Sequence, residues 1–299
     1  MKKVKQMLVW VIIILPTILL AQTEVNIAEG IRPFTLGEKN SYQLDIARAK
    51  LKGVEKDWMS YLKTGAKGKA QSLNGEVIML GAVNTNISLY PLNVYSKLLE
   101  TTEGVRLTAW LALNDTDYIS STTFADKDLA VRKYLRDFAI TQLRNVAEAD
   151  LDAEKSNLKT LDNEMNSIIK DIEKCNKKIA ENNRTIERNR DEIRTNELEQ
   201  TNKDRQILSQ KQTVDNTRQA YGATNKAAIQ ALKDLEKEKT KLQKDKEKLS
   251  KGIDDANADT RAQERSIEKL NSDKQSKQRQ IDEQSAKVKA AEDKLANIK

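Results

Sequence analysis

Counting by sevens from Leu151 gives Leu158, Met165, Ile172, Ile179, Ile186 and Ile193, then Gln200, Ile207, Val214, Tyr221 and Ala228. The count stays in phase through Leu235, Leu242, Leu249, Ala256, Gln263, Leu270, Lys277, Gln284, Ala291 and Ile298. A seven-residue repeat sustained over this length specifies a coiled coil, because only a helix facing another helix needs an apolar residue at that period. Residues 146–299 are therefore expected to form a coiled-coil stalk.

A seam needs a second stripe, and that stripe changes sides. It first lies three residues after the main series, at Leu161, Ile168 and Cys175, continuing as Asn182, Asn189 and Asn196. Later the positions three after are polar, and the companions lie four after, at Leu232, Ile253, Ile267, Ile281, Val288 and Leu295. At about 100° per residue, this switch swings the buried stripe by roughly 50°. One straight helix facing one partner has no use for it.

The change falls around RQAYGATNK, residues 218–226, which predicts a turn near 221–225. Gly222 suits the position just past a helix end, and Thr224 or Asn225 can cap the next helix. A turn at Gly222 divides the repeat into arms of 71 residues (151–221) and 77 residues (223–299). The other glycine, Gly252, would leave arms too unequal to pair. The expected shape is a folded-back antiparallel hairpin, about 110 Å long at 1.5 Å per residue. In the rival arrangement Gly222 is tolerated inside a helix at a cost of about 1 kcal/mol, and parallel chains make a homo-oligomeric rod.

Within the seam, Asn182, Asn189 and Asn196 are candidates for setting register, since a buried Asn restricts which pairings satisfy it, with a locally loose, hydrated seam as the simpler reading. Tyr221, an isolated aromatic at the expected tip, is a candidate partner contact, with closure of the last seam layer as its simpler role.

Every Trp lies before residue 140, as do all three prolines. A compact core must therefore be built there, and residues 22–145 are expected to form an α+β head. Pro33 places the strand Ile31–Leu36 at a sheet edge or puts the proline at a strand start. Leu44, Ala47, Leu51, Val54, Trp58 and Leu62 recur at spacings of three and four, predicting a helix from about Asn40 to Thr64. Asn74-Gly75 joins strands 69–73 and 76–83 as a hairpin, and Gly104 joins 93–100 to 105–113. Four or five mostly antiparallel strands are expected. Thr123-x-x-Asp126 reads as a capping box opening the next helix, whose Leu129, Tyr134, Leu135, Phe138 and Leu143 should lie on the sheet.

The first 21 residues, a basic start followed by the apolar run Met7–Leu20 and then Ala21, have the pattern of a secretory signal peptide. The run is too short to cross a bilayer. The expectation is an exported bacterial protein, periplasmic or extracellular, with no integral membrane span after signal removal. Loss of Lys2, Lys3 and Lys5 with the signal lowers the net charge from +7 to +4. Residues 151–299 carry 33 basic and 29 acidic side chains, so the stalk reads as a solvated helical face with no nucleic-acid partner.

The chain has no His and one Cys. That excludes His-based triads, His-containing zinc sites and cysteine-rich metal centres. Neither a phosphate loop nor a dinucleotide fingerprint is present. No catalytic residue, cofactor or metal ligand is assigned. Carboxylate-only chemistry would fall to Asp115, Asp117 and Asp126, although NDTDY reads more simply as a turn.

These features point to a non-catalytic protein that presents a small head on a long stalk and binds protein partners in the envelope or outside. A holdase-like periplasmic chaperone with helical arms is the alternative. The order of β-containing head and helical hairpin resembles, in architecture alone, the periplasmic adaptor subunits of efflux pumps. Such adaptors continue from the hairpin back into their β-domains, and their function is not expected here.

Overall fold

The structure, a computed structural model, describes residues 25–66, 68–73, 75–221 and 225–298. The chain divides into two compact units, one running to Asn157 and including Ser285 onward, the other spanning Leu158–Gln284.

The first unit is an antiparallel sheet of six strands with helices on one face. In chain order they are β1 (Ala28–Phe34), β2 (Gly37–Ala47), β3 (Gln71–Leu73), β4 (Glu76–Ala82), β5 (Leu92–Thr101) and β6 (Gly104–Ala112). Helix α1 (Leu51–Leu62) follows β2, and α2 (Ala125–Tyr221) follows β6. The spatial order is β1-β2-β6-β5-β4-β3. Pro33 therefore sits on an edge strand, where its missing N–H disturbs no ladder. Both expected hairpins are present, β3–β4 around Gly75 and β5–β6 before Gly104.

One expected element is different. Residues 40–47 are not the start of a helix; they belong to β2, which supplies the sixth strand. Tyr42, Leu44 and Ile46 are buried opposite Ala109, Leu107 and Val105, while Asp45 and Ala47 are exposed. Tyr, Leu and Ile at alternate positions fit a half-buried strand as well as Leu44, Ala47 and Leu51 fit a helix. The strand prevails because both of its backbone edges are paired, with β1 and with β6. Arg48, at φ 61°, ends it, and the helix begins only at Leu51.

Gly104 is fixed by its neighbours. A Cβ there would lie 2.2 Å from the Ile46 carbonyl oxygen, and its φ is 152°. Only a glycine allows the β5–β6 turn to press this closely against the end of β2.

The main core lies between the sheet and the helices. Trp58 of α1 is fully buried, edge-on to Phe138 of α2 at 4.8 Å. Its indole N–H donates to Ser96 Oγ (2.7 Å), and that hydroxyl donates to the Val77 carbonyl (3.0 Å), so the polar atom costs no unmet hydrogen bond. A smaller cluster occupies the other face: Phe34 stacks on Trp110 at 4.9 Å, beside Tyr95 and Tyr118. The β1–β2 turn folds over it, and the Thr35 N–H and hydroxyl both donate to the Glu76 carboxylate (3.1 and 2.8 Å).

Helix α2 begins at Ala125, and the Thr123–Asp126 capping box does not form its start. Ser120 Oγ instead accepts the Thr123 N–H at 2.9 Å, and the Phe124 carbonyl takes the first helical N–H groups. Leu129 is 76% exposed, contrary to expectation. Val131, Leu135, Phe138 and Gln142 define the buried line, and Leu129 is about 200° round from Val131 at two residues' remove. Farther along, Leu143 and Ala147 share the core with Ile298, whose carbonyl accepts from the Arg144 guanidinium at 3.0 Å.

The second unit is an antiparallel pair formed by α2 and α3 (Lys226–Ala296). Gln210 meets Ala228, Asn196 meets Leu242, Asn182 meets Thr260 and Glu164 meets Lys277. As residue numbers fall along α2 they rise along α3, so the two arms run antiparallel and the chain forms a helical hairpin. The side-switching stripe has a simple cause. Read from Leu232, the stripe of α3 alternates by three and four just as that of α2 does from Leu151. The apolar-rich column leads in one arm and trails in the other.

Candidate functional site

Two features of the described residues carry side chains arranged beyond what folding alone requires. One is the loop joining β4 to β5 in the first unit. The other is the polar part of the hairpin seam in the second.

The loop is pinned at both ends. Ile87 is buried, and its N–H and that of Ser88 both donate to the Asn84 carbonyl (2.9 Å each). The Asn84 side chain also accepts the Asn86 N–H at 3.1 Å, an Asx turn that fixes the corner. Leu92, at the start of β5, is buried again. Between these anchors Leu89 and Tyr90 are 87% and 79% exposed, with the Tyr90 N–H held by Ser88 Oγ. Pro91 follows and restricts the backbone further. The result is an apolar and aromatic pair presented on a restrained backbone, which lowers the ordering cost of a contact.

Beside the same loop lies a depression of about 370 Å³, bordered by Tyr61, Val83, Asn86, Lys133, Tyr134 and Asp137. Tyr61 and Tyr134 stack at 4.6 Å, and the Tyr61 hydroxyl donates to the Tyr134 carbonyl. Burial pushes the Tyr61 phenol up to about 12 and raises that of Tyr134 too, so both remain neutral donors at ordinary pH. The Lys133–Asp137 ion pair at 2.7 Å leaves the rim without net charge.

The carboxylates considered for catalysis do different things. Asp117 accepts from Asn114 Nδ2 in a turn where Asn114 Oδ1 also takes the Thr116 and Asp117 N–H groups. Asp126 is exposed in the first turn of α2, and Lys127 beside it holds its carboxyl below the usual range. Among the described residues no group of His, Cys, Asp and Glu has the arrangement of a metal site.

In the hairpin, Asn225 caps α3, its Oδ1 accepting the Ala228 N–H at 3.1 Å. Gly222 and Thr224 lie outside the described residues, as does the side chain of Tyr221, the last residue of α2. The three asparagines each meet α3 differently. Asn182 donates to Asp259 (2.8 Å) and to Thr260, and its amide, followed by that of Gln263, holds the Asp259 carboxyl below the usual range. Asn196 donates to the Leu242 carbonyl (3.0 Å) and accepts from Gln200. Asn189 is buried against Gly252, where a Cβ would come within 2.8 Å of Asn189 Nδ2. Gly252 therefore serves as a niche inside α3 and does not break it.

The lysines of the seam follow the same rule. Lys239 reaches Asp204, Lys246 reaches Glu197 (2.7 Å), Lys203 reaches Glu238 (2.6 Å) and Lys277 reaches Glu164 (2.6 Å), each across to the other arm. Their stems cover the apolar layers while their charges meet acids at the rim.

Leu89 and Tyr90 escaped the sequence reading because apolar residues in a loop have no periodicity to betray them. The signal was the run Ile87 to Leu92, in which five of six residues are apolar, aromatic or proline where a connection is usually polar. Neither a protein-family model nor a curated protein matches this chain. The geometry alone must carry the functional reading.

Proposed function

We propose that the chain is an exported, non-catalytic interaction protein whose head engages another protein of the envelope or the exterior, with the helical hairpin as its spacer. The observation that carries the reading is the restrained display of Leu89 and Tyr90. Aromatic residues dominate contact hot spots, and here one stands beside an exposed Leu on a loop anchored by Ile87 and Leu92. The N-terminal basic and apolar segment supports export. No helix among the described residues is long and apolar enough to cross a membrane.

The test is site-specific photo-crosslinking in the native host, with the photoreactive residue at position 90 and, as a control on the same sheet, at exposed position 97. The reading expects one discrete adduct from position 90, lost when Leu89 is changed to Ser. Equal adducts from both positions, or none from position 90, would remove the head loop as the contact surface.

A further inference from the structure

The balanced charge of the hairpin conceals an uneven distribution. Between residues 233 and 251 of α3, Lys233, Lys237, Lys241, Lys244, Lys248 and Lys251 are all exposed. At 100° per residue they fall within an arc of about 80° on the side away from the seam of Leu232, Leu235, Leu242 and Leu249. Every position of that arc in this segment is lysine. The acids lie off it: Asp234, Asp245 and Glu247 flank the arc, while Glu236 and Glu238 turn toward Lys211 and Lys203 of α2. Among these lysines Lys237 and Lys248 form ion pairs with acids of their own helix, Asp234 and Asp245, at 3.6 and 3.9 Å. The line ends at Asp255, which falls on the same arc.

We infer that this lysine crest is a docking surface for an anionic lipid headgroup surface, on which the hairpin lies lengthwise. The crest of a helix meets a plane along a line, so six lysines in line, spread over roughly 27 Å of axis, can all approach a flat array of phosphates at once. A folded acidic partner would need a long concave groove to do the same. The arc has no aromatic residue on which bases could stack, which weighs against single-stranded nucleic acid. It also has no apolar residue to enter the acyl region, so association is electrostatic, reversible and screened by salt. Lysine suits this role, being a compact hydrated charge on a flexible stem with no demand for bidentate geometry.

The test is co-sedimentation of the full-length mature chain with phosphatidylcholine vesicles with and without phosphatidylglycerol. The expected result is binding to the phosphatidylglycerol vesicles alone at about 50 mM salt and its loss near 500 mM. Changing Lys237, Lys241 and Lys244 together to Glu should weaken binding at least about tenfold. The same reversal at the exposed Lys170, Lys174 and Lys177 of α2 should change it far less. Glu is as good a helix former as Lys, and circular dichroism checks that both variants stay helical. Equal loss in the two variants would show that net charge, and not the crest, binds the vesicles. Absence of binding at low salt, or tighter binding to a DNA duplex than to the vesicles at the same salt, would overturn the assignment.

Discussion

In the head, Trp58, Leu44, Ile46, Leu107 and Leu135 are sealed from water, and every polar atom among them is matched. In residues 158–284, by contrast, the buried apolar side chains among those described are Met165, Ile186, Ile207, Ala228 and Ala256, none of them fully sealed; Asn189, Asn196 and Gln284 are buried beside them, and the other apolar seam residues are half-buried. The difference lies in how each region excludes wrong structures. A dry core does so by volume, because a displaced side chain leaves a void or a clash. A thin seam has too little volume for that and relies on where its polar groups sit, since an Asn or Lys shifted by a heptad loses its partner.

The sharpest way to break the comparison is to open a void in the head. Trp58→Ala removes the largest sealed side chain and leaves Ser96 without its donor; the expected cost is about 3–5 kcal/mol, read as a lower denaturant midpoint. A comparable result from any single seam truncation in α3 would mean that the two regions do not differ as described. Gly104→Ala should cost about 1–3 kcal/mol, because the new methyl meets the Ile46 carbonyl and the β5–β6 turn must move.

For the hairpin, the informative experiment is a pair. Gly252→Ala alone should be close to neutral, since the gain in helix propensity of about 1 kcal/mol is offset by the contact with Asn189. Asn189→Ala together with Gly252→Ala should be more stable than the sum of the single changes by about 0.5 kcal/mol or more, measured as a double-mutant cycle. Additive effects would mean that the niche is incidental. The smallest effect is expected from Lys246→Ala, about 0.2–1 kcal/mol and diminished by salt, because its pair with Glu197 is largely exposed.

How much of this was legible from the sequence follows the same division. The hairpin, preferred over a parallel rod, could be read from its period of seven and its break near Gly222, and Asn225, one of two candidate caps, accepts the Ala228 N–H; the register of the two arms was not legible. The Asn189–Gly252 contact could not be read, because nothing in a sequence says which residue of one arm faces which residue of the other until the turn is known. The lysine crest was hidden by counting charges over the whole stalk; it emerges only when each lysine is placed on a helix whose inner face is fixed. In the head, the two glycine-marked hairpins were clear, whereas β2 was hidden because Tyr42, Leu44 and Ile46 satisfy one period and Leu44, Ala47 and Leu51 another. Burial between two strands decided it, and pairing partners are not written locally. The candidate contact loop had no period at all.

The layer-by-layer antiparallel pairing of α2 with α3 has a consequence for how such a protein can change size. Removing one heptad from a single arm would move every later Asn and Lys away from its partner, from the Gln210–Ala228 layer to the Glu164–Lys277 layer. Removing a heptad from each arm at the same level would leave all remaining layers intact and shorten the hairpin by about 10 Å. The hairpin is in effect a ruler with fixed graduations, lengthened or shortened only by paired insertions or deletions on both sides of the turn.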